Sequence, residues 1–344
     1  MRFRLTLAVW GDWHVGQLVA HGLSSLRAPG NLDAVDYVIS AHTRPADLGR
    51  LAAALEGLNA ELGAPIADDT GEDQTSANGA IYGCAARDFR AAAAAGEVWG
   101  QLAPDMVWSE GTFARYRQLI EAGNRMVFRP LLRVDADKTG TIREFGRRSL
   151  ARLALECEHE MGKIYRADAE RFTTHAEAIV WPAPDGRLHQ TISADVALCV
   201  ANRTPTTPQF LSDEEFGPGM AAIVDSDDSV ALAMCPADKH YEWQLGGGPL
   251  SPAVVREFLA VYPSPACRGL AARPYRLHAG DTDPACWAEA ERRAADFIAQ
   301  VFAGGAPPPA RQPAPARPAA PVPPPAAAAP DRLKDAIWTG TLMR

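Results

Sequence analysis

Cysteine is scarce in this chain and is never paired locally. Cys84, Cys157, Cys199, Cys235, Cys267 and Cys286 are scattered through 344 residues with no CxxC pair. A zinc ribbon or a disulfide scaffold needs tighter clustering, so both are excluded. The thiols read as small buried hydrophobes in a reducing cytoplasm. No apolar run approaches the length of a membrane span. The opening segment has the look of a signal peptide, but it is short and is cut by Gly11, Asp12 and His14. It reads as a first strand. Positive charge is not in excess: 34 Lys and Arg against 42 Asp and Glu give a formal net charge of −8. That balance argues against a general nucleic-acid binder. One local cationic stretch, Arg125, Arg129, Arg133, Arg143, Arg147 and Arg148, reads as a solvated face in preference to a phosphate site.

Several catalytic signatures are missing too. There is no GxGxxG after the first strand, so a Rossmann dinucleotide site is not supported. Glu156-Cys157-Glu158-His159-Glu160 is not HExxH, and no GxSxG elbow occurs. Gly246-Gly247-Gly248 lacks the GK[ST] of a phosphate loop and reads as a flexible lid. No internal repeat is present.

What is there is an alternating pattern. Apolar strands at 3–9, 34–41, 106–108 and 125–128 alternate with helical spacing at 15–26, 45–62, 81–99 and 113–122, with a polar loop at 68–78. This predicts an α/β fold with a mainly parallel central sheet and helices on both faces. The pattern then becomes mixed α+β. A helix is expected at 145–161, strands at 178–181 and 188–200 around the turn Pro184-Asp185-Gly186, strands at 221–224 and 229–234, and helices at 252–262 and 283–302. Residues 1–135 form the α/β half and 136–303 the mixed half of the same globular unit. Residues 304–330 are almost all Pro and Ala, a disordered linker with polyproline II character. The peptide 331–344 carries Leu333, Ile337 and Trp338 on one side of a short helix and is expected to dock at home or on a protein partner.

Two acidic turns stand where apolar strands end. The first is Pro104-Asp105-Met106-Val107-Trp108-Ser109-Glu110-Gly111, and the second contains Asp225-Ser226-Asp227-Asp228. Carboxylates at a strand end can hold a hard cation, and the cation a diphosphate. Aspartate is also common in turns for purely structural reasons. A third feature, Trp10-Gly11-Asp12-Trp13-His14-Val15-Gly16, combines aromatic rings for stacking with glycines that let backbone approach a ligand. Its alternative reading is two core tryptophans around a turn. His159 reads either as part of a solvated helix face with Glu156 and Glu160 or as a base reaching into a cleft.

The opening strand followed by Trp10-Gly11, the stretch Ser24-Ser25-Leu26-Arg27-Ala28-Pro29-Gly30-Asn31-Leu32, the strand end His42-Thr43-Arg44-Pro45-Ala46-Asp47, the Pro104 turn and the late Asp225-Ser226-Asp227 together resemble a poorly characterised bacterial group of GT-A-type glycosyltransferase-like domains. Glu110 stands where that pattern has Asp. The resemblance implies transfer of a sugar from a nucleotide-sugar donor to an unknown acceptor, assisted by a divalent cation, Mn²⁺ or Mg²⁺. It implies that Trp10, Gly11, Thr43 and Asp47 line the nucleotide pocket. Asp105 and Glu110 are the expected metal or donor shell, Asp225 and Asp227 the competing pair, and Asp105 and His159 the catalytic candidates. The alternatives are a non-catalytic scaffold on a degenerate transferase fold, and a different α/β hydrolase or phosphotransferase.

Overall fold

The computed structural model describes residues 1–303 apart from 69, 71–73, 173–177, 193–195, 205–213, 238–247 and 262–264. The linker 304–330, the peptide 331–344 and Gly246-Gly247 of the expected lid lie outside the described residues.

Strand and helix alternate from the start. β1 (Arg2–Ala8) leads into a continuous helical stretch made of α1 (Asp12–Gln17), a π turn (Leu18–Gly22) and α2 (Leu23–Leu26). β2 (Asp36–His42), α3 (Leu48–Ala54), β3 (Ala60–Leu62), α4 (Gln74–Ala95) and β4 (Val98–Leu102) follow. Then come β5 (Met106–Trp108), α5 (Thr112–Glu121), β6 (Met126–Phe128), β7 (Leu132–Asp135), α6 (Ala136–Thr139), α7 (Arg147–Glu156) and α8 (Glu160–Lys163). The chain continues through β8 (Ala178–Ala183), β9 (Gly186–Thr191), β10 (Val196–Val200), β11 (Met220–Ala222) and β12 (Ala231–Cys235). It closes with α9 (Pro252–Val261), α10 (Ala266–Ala271), β13 (Tyr275–His278) and α11 (Ala285–Ala303).

The main sheet has seven strands in the order β11-β6-β10-β4-β1-β2-β3. Every pair is parallel except the two made by β10. β1 is central and buried on both faces, as parallel strands are. Phe3, Leu5 and Leu7 join the core that holds Val15, Leu18, Leu23 and Leu26. Thr6 points the other way and donates to Asp88 of α4 at 2.8 Å. Right-handed crossovers explain the two layers: β1 to β2 steps one way along the sheet, β3 to β4 steps back, and the connecting helices cover opposite faces. A second sheet, β5-β12-β7, starts where β4 ends, and a third, β13-β9-β8, is antiparallel. One apolar core runs from Phe3 to Leu277, so both halves contribute to it. No described helix is long and apolar enough to cross a membrane.

Several expected boundaries are corrected. The helix expected at 45–62 stops at Ala54; Gly57 takes φ 78° and the chain turns into β3. The helix expected at 81–99 begins earlier, at Gln74 inside the expected loop, and ends at Ala95. Gly96 at φ 68° then releases the chain into β4. The single strand expected at 188–200 is two strands in different sheets. The helix expected at 145–161 breaks between Glu156 and Glu160, where Val134 bridges to Glu158.

Candidate functional site at the carboxyl edge of the main sheet

All strands of the main sheet but β10 run in one direction, so their carboxyl ends share an edge. The order reverses between β1 and β4, which makes the crevice beyond these two ends the topological switch point.

Trp10, Gly11, Thr43 and Asp47 come together at the ends of β1 and β2. Val9 N–H donates to His42 O at 2.9 Å and carries the pairing one residue past the strand. Gly11 then adopts φ 77°, ψ 153°, a region essentially restricted to glycine. Its N–H donates to Asp47 Oδ2 at 3.2 Å, and Arg44 Nε donates to the same oxygen. Trp10 is buried with Ala8, Ile66 and Cys84. Thr43 is buried, its carbonyl accepts from Ile66 N–H, and its Oγ1 has no hydrogen-bond partner among the described residues.

Below Thr43 lies an ionic pair. His42 Nε2 donates to Asp88 Oδ2 at 2.9 Å, and its Nδ1 faces Ala64 O at 2.9 Å. Asp88 also accepts from Thr6 and Ser40. With acceptors on both sides the ring holds two protons. Burial pulls its pKa down, but hydrogen bonds to Asp88 and Cys84 together with their Coulombic attraction outweigh burial and push it up to about 10.

Asp105 sits one strand along, just past the end of β4 and half-buried. Its carbonyl accepts from Met234 N–H of β12. Glu110 stands at the other end of the turn: the three-residue strand β5 and Ser109 lie between it and Asp105. Glu110 is exposed and lies on the side of Gly146 and Arg147.

The second acidic turn follows β11 on the same edge. Asp225 Oδ1 accepts from Asp227 N–H at 2.9 Å and faces His278 Nε2 at 2.8 Å. His278, at the end of β13, faces Gly280 O through Nδ1 at 2.6 Å. One ligand atom each from Asp225, Asp227 and His278 lies within 4.8 Å of the others, so this group could hold a metal ion. Asp225 is half-buried, Asp227 exposed and His278 buried. Arg147 Nη1 donates to Asp227 O at 2.7 Å, Arg148 Nε lies 3.9 Å from Asp227 Oδ1, and Arg115 pairs with Asp228. Two arginines of the cationic stretch thus meet an acidic turn; Arg125 of the same stretch pairs with Glu214.

The turns are tied together by neutral hydrogen bonds. Ser109 N–H donates to Val230 O at 2.9 Å and Val230 N–H to Ser109 Oγ at 3.0 Å. Thr112 Oγ1 meets Ser229 Oγ at 2.9 Å. Asn31 donates to Ser109 O and accepts from Phe113 N–H. Gly30 must be glycine, with φ 76° and a virtual Cβ 2.8 Å from Gly111 Cα. The Ala28–Leu32 stretch and both acidic turns therefore form one packed unit.

His159 is not placed as a base. It is fully buried and caps α8: Nδ1 accepts from Met161 N–H at 3.1 Å and Nε2 donates to Pro236 O at 2.8 Å. The break in the expected helix turned a face residue into a cap. Sequence reasoning missed His278 and Ser229. Only a short alternation, Tyr275-Arg276-Leu277-His278 between Pro274 and Gly280, signals the strand that delivers His278. All six cysteines are free thiols and five are buried.

No protein-family model matches the chain, and no curated protein matches it.

Proposed function

We propose that the chain is a GT-A-type glycosyltransferase-like enzyme that uses a nucleotide-sugar donor and a divalent cation, Mn²⁺ or Mg²⁺. The observation that carries this reading is the Asp225–Asp227–His278 group on the carboxyl edge of a mainly parallel sheet. Ligands of open α/β sheets bind beyond that edge.

The residues fit a cation. If Nδ1 of His278 donates to Gly280 O, the Nε2 lone pair faces Asp225 Oδ1 at 2.8 Å. Two such acceptors repel unless a proton or a cation lies between them. An imidazole oriented by a backbone carbonyl is the usual support for a metal ligand. Two carboxylates and one imidazole suit Mn²⁺ or Mg²⁺, with the imidazole favouring the softer Mn²⁺. When bound, the cation offsets the charge on a departing nucleoside diphosphate. Asp225, Asp227 and His278 would hold it, and Arg147 and Arg148 beside the turn attract phosphate oxygens.

Trp10, Gly11, Thr43 and Asp47 supply the nucleotide end. Gly11 keeps the backbone open to close approach, and the Thr43 hydroxyl, without a partner among the described residues, supports a polar ligand nearby. Asp105 at the switch point orients the donor. Four strand steps of about 4.8 Å put the β1 end roughly 19 Å from the β11 end, so these residues serve different parts of the donor.

Thermal unfolding of the full chain with UDP or GDP, with and without Mn²⁺, tests the reading. Joint stabilisation is expected, amounting to about 2.7 kcal/mol at a hundredfold excess over Kd. Asp225→Ala should remove the Mn²⁺ dependence; Asp105→Ala should weaken the nucleotide effect while Mn²⁺ still acts. Stabilisation by neither probe would sink the transferase reading and favour the scaffold alternative.

A further inference from the structure

β13 pairs with β9 on one edge, and the second acidic turn closes the other. Arg276 N–H donates to Val224 O at 2.9 Å, and Arg276 O accepts from Ser226 N–H at 2.9 Å, a single parallel bridge centred on Asp225. Backbone groups alternate between the two edges of a strand, so the N–H and C=O of His278, two residues on, face the same turn. In a continuing parallel pair, Ser226 O and Asp228 N–H would take them. The chain turns instead, and Asp228 N–H donates to Asp225 O at 3.1 Å.

One side chain fills both places. Ser226 Oγ–H donates to His278 O at 2.9 Å, and Oγ accepts from His278 N–H at 3.1 Å. A hydroxyl carries one donor and two acceptor lone pairs, so it can do both at once. Ser226 is buried, while Asp225 and Asp227 on either side of it stay accessible. The ring of His278 has its own supports: Nδ1 faces Gly280 O at 2.6 Å, and the Trp287 ring lies 5.9 Å away between centroids. Those supports come from the chain that follows His278. The tie between the His278 backbone and the acidic turn is the Ser226 hydroxyl.

We propose that Ser226 is the positioning residue of the Asp225–Asp227–His278 group: its hydroxyl holds His278 in register with the turn and so sets the affinity and selectivity for a divalent cation. The proposal rests on the cation reading above. The two carboxylates share one turn, whereas the imidazole arrives from another sheet. Loss of the hydroxyl leaves the N–H and C=O of a buried residue unpaired, and the strand end must shift to satisfy them. Carboxylates alone suit Mg²⁺ and Mn²⁺ alike, and the imidazole is the ligand that favours Mn²⁺. The hydroxyl therefore acts on Mn²⁺ more than on Mg²⁺.

Mn²⁺ binding to the full chain is followed by the EPR signal of free Mn²⁺, and Mg²⁺ binding by its displacement of Mn²⁺. Ser226→Ala is expected to weaken Mn²⁺ binding about tenfold or more, the usual range for groups that orient a metal ligand. Mg²⁺ binding should weaken less, so the preference for Mn²⁺ falls. Thermal unfolding of the metal-free variant establishes that it is folded. If it is not, Ser226→Cys, whose thiol donates and accepts weakly, decides by the same two affinities. Unchanged Mn²⁺ affinity in a folded variant, or an equal loss for both ions, overturns the proposal and leaves the cation reading in place. No saturable binding by the unmodified chain, or binding that persists unchanged in Asp225→Ala, overturns both.

Discussion

His42 and His189 are both buried, one at the end of a parallel strand and the other inside the antiparallel third sheet, and they hold opposite charge states. His42 meets Asp88, a carboxylate delivered by α4 from the facing layer, and its pKa rises to about 10 although burial pulls it down. His189 has Arg187 two residues along its own strand, and burial followed by that cation lowers its pKa to about 3. The difference teaches that desolvation alone favours the neutral ring, and that the sign of the nearest charge decides whether burial is overridden. In the parallel half, the layered helix brings a partner. In the antiparallel sheet, side-chain alternation brings a like charge, and the ring stays neutral.

The contrast breaks most severely at Asp88. Asp88→Ala leaves His42 buried without its counter-charge and strips Thr6 and Ser40 of an acceptor. Removing one partner of a buried pair typically costs about 3–5 kcal/mol. Urea unfolding should show a loss of that order, and ring NMR should show His42 titrating well below about 10. A loss under about 1 kcal/mol would mean that the pair does not hold the β2 end. Gly63→Ala attacks the same ring sterically. A Cβ at 63 would lie 2.0 Å from His42 Cε1, so the imidazole or the backbone must move. An overpacking cost of about 1–3 kcal/mol is expected by the same measurement, with no change at His189.

The pH dependence sharpens the comparison with smaller effects per unit. The folded pKa of His42, about 10, lies above its unfolded value of about 6.5. Its contribution is therefore complete below pH 6.5 and is lost as pH rises toward 10. For His189, with a folded pKa of about 3, the unfolded chain takes a proton that the native state refuses. Stability accordingly falls as pH drops from about 6.5 toward 3. Each proton imposes a slope of up to about 1.4 kcal/mol per pH unit. Stability curves of His42→Gln and His189→Gln should lose the alkaline and the acid limb respectively. Two variants with the same limbs as wild type would erase the contrast.

Much of the architecture was legible because it is written in local periodicity. The alternating apolar strands and helices of the first half need only neighbouring residues to be recognised, and they form a mainly parallel sheet with helical layers. The glycine at 11 and the aspartates at 225 and 227 were likewise visible, since turn chemistry is local. Apart from shifted helix boundaries, two failures involve pairing. Residues 188–200 look like one strand, but β9 and β10 hydrogen-bond to different sheets. His159 has helical spacing with Glu156, yet the Val134–Glu158 bridge breaks the helix and leaves the ring as a cap.

The sequence by itself determined much of the alternation of strand and helix and where carboxylates stand at turns, because backbone preference and side-chain alternation act over a few residues. Only the tertiary structure decided which carboxylates meet. β5 separates Asp105 from Glu110, and β13 brings His278 to Asp225 across 53 positions of chain. Strand order and register are set by hydrogen bonds and packing between residues far apart in sequence, and no local pattern encodes them.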